Sequence, residues 1–176
     1  SLQLFPILGF SLFPSSEKPQ FLVNIFSPMQ SNLAYTDSIS KKIEKELKLI
    51  PEVQFVSANV GKGNPRIYYN VIPLNERSDY AGLFVQLKEG TKATRKIEII
   101  DHLRSQWTPY PGAKVEVKNF EQGPPVVAPI EVRILGKNID TLRILAIKVE
   151  NLLAKNKASI YINNPLKNLK SDIRVD

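Results

Sequence analysis

The chain has 176 residues, with 24 Lys and Arg against 17 Asp and Glu, for a net charge of +7. That length suffices for one large or two small domains with a real core, and 43% hydrophobic with 23% charged residues excludes a disordered chain. Cysteine is absent, which removes disulfide frameworks, thiol catalysis and Cys-based zinc sites.

The chain opens on Leu2–Phe13, a nearly continuous apolar run. It is shorter than the roughly 20 residues a bilayer span needs. It also lacks the basic start and small-residue cleavage site of a secretion signal. Two readings stand: a packed N-terminal arm, or the last stretch of a chain leaving a membrane helix. The same pattern then occurs three times, an alternating apolar run, an amphipathic helix and a second alternating run. The first copy is Phe21–Phe26, Leu33–Ile50 and Val53–Val60. Its helix sets Ile39, Ile43, Leu47 and Ile50 on one face, with Ser31 or Asn32 as cap and Pro51 as stop. Lys41, Lys42, Glu44, Lys45, Glu46 and Lys48 make the solvated face.

Gly61-Lys62-Gly63-Asn64-Pro65 follows. A phosphate loop leads from strand directly into helix, but here another extended run, Arg66–Val71, comes next, so a surface turn and hairpin are expected. The second copy is Tyr80–Leu87, Thr91–Trp107 and Lys114–Phe120, with Ala93, Ile97, Ile100, Leu103 and Trp107 expected inward. Thr108–Gly112 breaks the helix before the period-two run at Lys114. Glu121–Pro129 is proline-dense and reads as a stiff boundary. The third copy is Ile130–Leu135, Asp140–Leu153 and a weaker strand at Ser159–Ile162. Its helix points Leu142, Leu145, Val149, Leu152 and Leu153 inward, with Asp140 at the N-terminus.

Two such units make one βαββαβ sandwich, so the expected fold class is α+β: a ferredoxin-like sandwich plus a partial second βαβ unit. The expected layout is an arm over 1–18, a complete domain over 19–122 and a half domain over 126–176. Nothing legible points to catalysis. His102 is the sole histidine, the acidic residues are scattered, and no nucleophile elbow or Ser-His-Asp arrangement is present. No enzyme activity and no cofactor are expected; binding or mechanical work fits better.

Leu12-Phe13-Pro14, Pro19–Val23, Ile50–Val53, Val60–Gly63 and Pro65–Tyr68 stand in a recognisable order. Tyr110–Val115, Gly123-Pro124-Pro125, Pro129–Gly136 and Asp140–Arg143 continue it. Together they resemble the second large periplasmic loop of resistance-nodulation-division (RND) efflux pumps, over essentially the whole chain. The resemblance implies one complete porter subdomain and the first βαβ half of a second, ending at Ile173–Asp176 where the family inserts a docking subdomain. It also implies a membrane helix just upstream, an inner-membrane parent with this segment in the periplasm, and proton-driven export of hydrophobic or amphiphilic small molecules, drug or metal. The parent would be a homotrimer working with a periplasmic adaptor and an outer-membrane channel, with no nucleic-acid partner, and the isolated fragment would be a monomer. By the same resemblance Lys118, Phe120 and Glu121 line the substrate cleft, with Tyr161 near where some drug exporters carry an arginine. The family's aromatic residues on that strand are not reproduced, with Val115 and Val117 standing nearby instead, so the resemblance leaves substrate identity open.

Two rival readings share the fold. An RRM-like RNA-binding module also has a βαββαβ order and a basic charge, but its Lys/Arg-Gly-aromatic signature is missing from Val53–Val56 and Leu83–Gln86, and Tyr68 and Tyr69 point to opposite faces of a strand. A small-molecule-binding regulatory module is the other.

Overall fold

The computed structural model describes residues 16–66, 74–120, 130–156 and 159–167. The apolar run at Leu2–Phe13, the tyrosines Tyr68 and Tyr69, the Glu121–Pro129 boundary and Ile173–Asp176 lie outside the described residues. The chain divides into two units, Ser1–Val126 and Val127–Asp176.

In the first unit the elements are β1 (Gln20–Phe26), α1 (Leu33–Lys48), β2 (Val53–Val60), β3 (Tyr80–Leu87), α2 (Ala93–Trp107) and β4 (Lys114–Asn119). The order is therefore βαββαβ, and the class is α+β. The strands form one sheet in the order β2-β3-β1-β4, antiparallel at every junction. Alternation sorts each strand's side chains between two faces. Phe21, Val23 and Ile25 of β1, Leu83, Val85 and Leu87 of β3, and Val115 and Val117 of β4 point into one core with Ile39, Ile43 and Leu47 of α1 and Ile100, Leu103 and Trp107 of α2. Both helices thus cover the same face of the sheet.

Local chemistry explains where α1 starts and stops. Asn32 has an extended backbone, and its Oδ1 accepts a hydrogen bond from the Tyr35 amide at 2.8 Å, satisfying one of the helix's orphan donors. After Lys48 the chain turns, and Pro51 supplies no amide to continue. Ion pairs Lys41–Asp37 and Lys48–Glu44, each four residues apart, lie on the outer face. At the C-terminal ends of the two helices, Trp107 is buried and donates from Nε1 to Glu46 Oε2 at 2.8 Å, so one indole both fills the core and ties α2 to α1.

The inward face of α2 differs from expectation. Ile97 is 44% exposed, whereas Lys96 and Ile99 are buried. The helix turns its 96/99/100/103/107 row to the sheet. Lys96 can occupy that row because its four-carbon stem is apolar and its ammonium ends on main-chain carbonyls, those of Ser16 and, at 2.9 Å, Lys18.

Between β2 and β3, Gly61 N–H donates to Tyr80 O at 2.9 Å, Arg77 N–H to Gly61 O at 2.8 Å and Gly63 N–H to Leu74 O at 3.1 Å. Gly61–Pro65 is thus the start of the hairpin connection between β2 and β3; of the expected extended run Arg66–Val71, residues 67–71 lie outside the described residues. Gly112, in the turn before β4, has φ +80°, and a Cβ there would lie 2.5 Å from Tyr35 Oη, which itself donates to Gly112 O. Gly90 has φ +87° but open space around it.

In the second unit only the helix of the expected strand-helix-strand pattern is formed among the described residues. This is α3 (Ile139–Ala154), capped by Asn138 Oδ1 on the Thr141 amide at 2.9 Å, with Asp140 in its first turn. Ile130–Leu135 and Ser159–Ile162 are not strands. A strand exists only where a neighbour takes its hydrogen bonds, and none of the described residues does so for these runs. No residue of α3 is buried, and Leu145 and Leu152 of its expected inward row are exposed.

Two outcomes follow from packing. Gly90→Ala should cost about 1 kcal/mol, the left-handed backbone penalty alone. Gly112→Ala should cost somewhat more, because its Cβ also pushes aside the movable hydroxyl end of Tyr35 and breaks that group's exposed hydrogen bond to Gly112 O. Urea denaturation of the two variants compares them, and equal costs would refute the steric part. Hydrogen exchange should find α3 amides opening well before those of α1, which buries five residues; equal protection would refute that.

Candidate functional site

The sheet face turned away from α1 and α2 holds Lys118 and Phe120, two of the sequence-derived site residues. Residues 114, 116, 118 and 120 alternate onto it from β4 and the position just after it. Lys118 and Phe120 are therefore brought to one face, but they end in different surroundings.

Phe120 is 2% exposed. Its ring lies 6.3 Å from that of Phe84 on β3, and Phe84 lies 6.2 Å from Phe55 on β2. Leu22, the cross-strand partner of both Phe84 and Lys118, is buried between them. An apolar band thus crosses the sheet, with only its Phe55 end half exposed. Lys118 has a side chain that is nearly half accessible, and its Nζ sits 3.0 Å from Glu116 Oε2. Lys114 meets the other oxygen of the same carboxylate at 2.9 Å. The result is a Lys-Glu-Lys bridge along β4, with one net positive charge on two exposed ammonium groups and a buried carboxylate between them.

Beside this bridge runs a row that sequence reasoning missed. The registers align Asn59, Gly82, Asn24 and Glu116 straight across the four strands. Tyr80 Oη donates to Asn24 Oδ1 at 2.9 Å, and Asn59 Nδ2 donates to Asn64 Oδ1 at 2.5 Å. Asn64 comes from the hairpin connection and is buried. Gly82 leaves room for both polar groups: a Cβ there would stand 3.0 Å from Tyr80 Oη and 3.1 Å from Asn64 Nδ2. Each asparagine does interrupt an apolar strand pattern, which was the available signal. Their meeting depends on register, which no local pattern states. Burial, together with the nearby Glu116 charge, pushes the Tyr80 hydroxyl up to about 12 despite the opposing Arg77.

Glu121 lies outside the described residues. Tyr161 belongs to the second unit, half-buried and with φ +59°. Around the hairpin connection are two open depressions of about 450 and 410 Å³ sharing Lys62 and Glu76. Among the described residues no group of three or more His, Asp or Glu side chains is placed to hold a metal ion, and no helix is long and apolar enough to cross a membrane. Chemically the face can offer the half-exposed Phe55 end of an apolar band, two lysine ammonium groups, and asparagine amides in a row that ends on the Glu116 carboxylate.

No protein-family model matches the sequence, and no curated protein matches it. Solved structures do. The X-ray crystal structure of a heavy metal efflux pump in crystal form II superposes with a TM-score of 0.60 at 15% identity, covering 88% of this chain and 17% of the pump chain. Crystal form I of a heavy metal efflux pump gives 0.58 and 15%, covering 87% and 16%. At that identity the likeness is one of fold, and the chain spans about a sixth of the pump's length.

The Tyr80 environment makes a signed prediction. The folded hydroxyl keeps its proton to about pH 12, whereas the unfolded one loses it near the ordinary value of 10.0. Between those values the folded state binds more protons, so stability should fall as pH rises. Denaturation at about pH 9 and about pH 11 measures the drop, and ring-labelled tyrosine NMR measures the titration. Glu116→Gln should lower the Tyr80 value yet leave it above 10.0, since burial is the larger cause; a return to the ordinary value would refute that ranking.

Proposed function

We propose that this chain is the periplasmic porter segment of an RND-type export pump, with the first unit as a complete porter subdomain and the second as half of another. The observation that carries the reading is the superposition on a heavy metal efflux pump over 88% of the chain, across both units, together with the ordered motifs from Leu12-Phe13-Pro14 to Asp140–Arg143. On this reading residues 19–122 and 126–176 are the two porter pieces, the parent is a proton-driven homotrimer in the inner membrane of a Gram-negative cell, and an adaptor and outer-membrane channel complete the export path. The segment itself catalyses no bond-making. It forms a wall.

The physics suits such a wall. A sandwich with a single core moves as a rigid piece, so a cleft beside it changes width by hinge motion without unfolding. Hydrophobic or amphiphilic cargo, or a metal ion, is then met by few directional groups. Lys118 is the residue best placed for the cleft rim, because its side chain is accessible. Phe120 supports the wall from behind, being buried against Phe84. Glu121 and, in the second unit, Tyr161 are assigned to the cleft by the resemblance alone. The RNA-binding reading draws less support: of the aromatic residues on the face away from the helices, Tyr80 and Phe120 are buried and only Phe55 is exposed by half.

The test is made in the parent. Its reading frame should show an apolar stretch of about 20 residues running into Leu2; a soluble domain there would sink the assignment. In an efflux-deficient host, Lys118→Ala should shift resistance several-fold for at least one amphiphilic drug or metal while the pump's abundance stays constant. Unchanged resistance to every compound would remove Lys118 from the cleft.

A further inference from the structure

Lys96 is the one fully buried lysine among the described residues, and no carboxylate pairs with it there. Its ammonium is held instead by the carbonyls of Ser16 and Lys18, which lie about eighty residues earlier in the chain, just before β1. Ser16 is itself buried, and its amide donates to Phe120 O at 2.7 Å, at the position where the chain leaves β4. Ser16 Oγ accepts from the Lys18 amide at 3.3 Å and shapes the short segment between the two carbonyls. Eight residues further along α2, just over two turns, Arg104 donates from Nε to Val117 O at 3.0 Å. A single helix therefore holds the chain's entry into the first unit and, three residues from its exit, the last strand.

We infer that Lys96, Ser16 and Phe120 form a joint that locks the entry and the exit of the first unit to each other and to α2, so that a displacement of the chain before Ser16 is passed to residue 120 without passing through the sheet. A lysine suits this place for a physical reason. Its stem fills the core row while its head supplies several donors to carbonyls that no strand partner uses. An apolar residue of equal length would fill the same space and take this donor from the carbonyl of buried Ser16, which is the costly outcome for a main-chain group, whereas the Lys18 carbonyl would keep the Gln20 amide at 2.8 Å. Burial also pulls the ammonium's pKa down, against the pull of Glu17, in keeping with a site closed to water. The joint is a property of the first unit's own contacts and stands apart from the export reading.

The absence of cysteine makes the test direct, because spin labels can be placed pairwise on the full chain. One pair is Lys18→Cys with Lys42→Cys, both at exposed positions, across the joint; the control pair is Lys42→Cys with Glu98→Cys, also exposed, across the two helices. The joint requires a narrow Lys18–Lys42 distance distribution that broadens in Lys96→Met, with the control pair unchanged. An unchanged first distribution, or equal broadening of both pairs, overturns it. Should Lys96→Met fail to fold, hydrogen exchange of the unaltered chain decides: the Ser16 amide should be protected to the degree of the β1 amides. Exchange at the rate of a frayed end would overturn the joint on its own.

Discussion

Everything in the first unit rests on β1 pairing with two strands that arrive much later in the chain. Phe21 meets Val85 on one side and Asn119 on the other, so neither contact forms until the second strand-helix-strand copy exists. The core side chains of β1 are buried without residue because both neighbours and both helices close over them. Such distant pairing places a loop-closure cost ahead of any gain, and it makes the two copies a single cooperative object. The side chains on the opposite face inherit their positions from the same registers. The Asn59-Gly82-Asn24-Glu116 row is a by-product of β1 sitting centrally.

Much of this was legible in the residues. Alternation at Phe21–Phe26 and Tyr80–Leu87, and the 39/43/47 spacing of α1, reflect local rules that tertiary contacts reinforced. The face of α2 was misread at Lys96 and Ile97, since a charged residue is ordinarily outside and nothing near position 96 announces carbonyls eighty residues away. Likewise, alternation placed Lys118 and Phe120 on one face but could not say that one ends in water and the other against Phe84. Asn59 and Asn64 were invisible as a pair for the same reason: register and loop path are global properties.

The second unit teaches the complementary lesson. Ile130–Leu135 carries as good a strand pattern as β1, yet among the described residues it is no strand. Pattern states which side chains would share a face; only a neighbour turns it into a sheet. The helix needs no such neighbour for its hydrogen bonds, and α3 forms with its cap in place and with Leu145 and Leu152 exposed.

The Lys114-Glu116-Lys118 bridge lies on the outermost strand of the sheet, beside the Arg104 guanidinium that occupies Val117 O. Edge strands are where unrelated chains add themselves and nucleate fibrils. Any strand arriving at β4 would have to dislodge a guanidinium and lie alongside lysine, glutamate and lysine in turn. The same three charges on the face away from the helices therefore act as a guard on the colloidal behaviour of the chain, keeping copies apart when they are crowded.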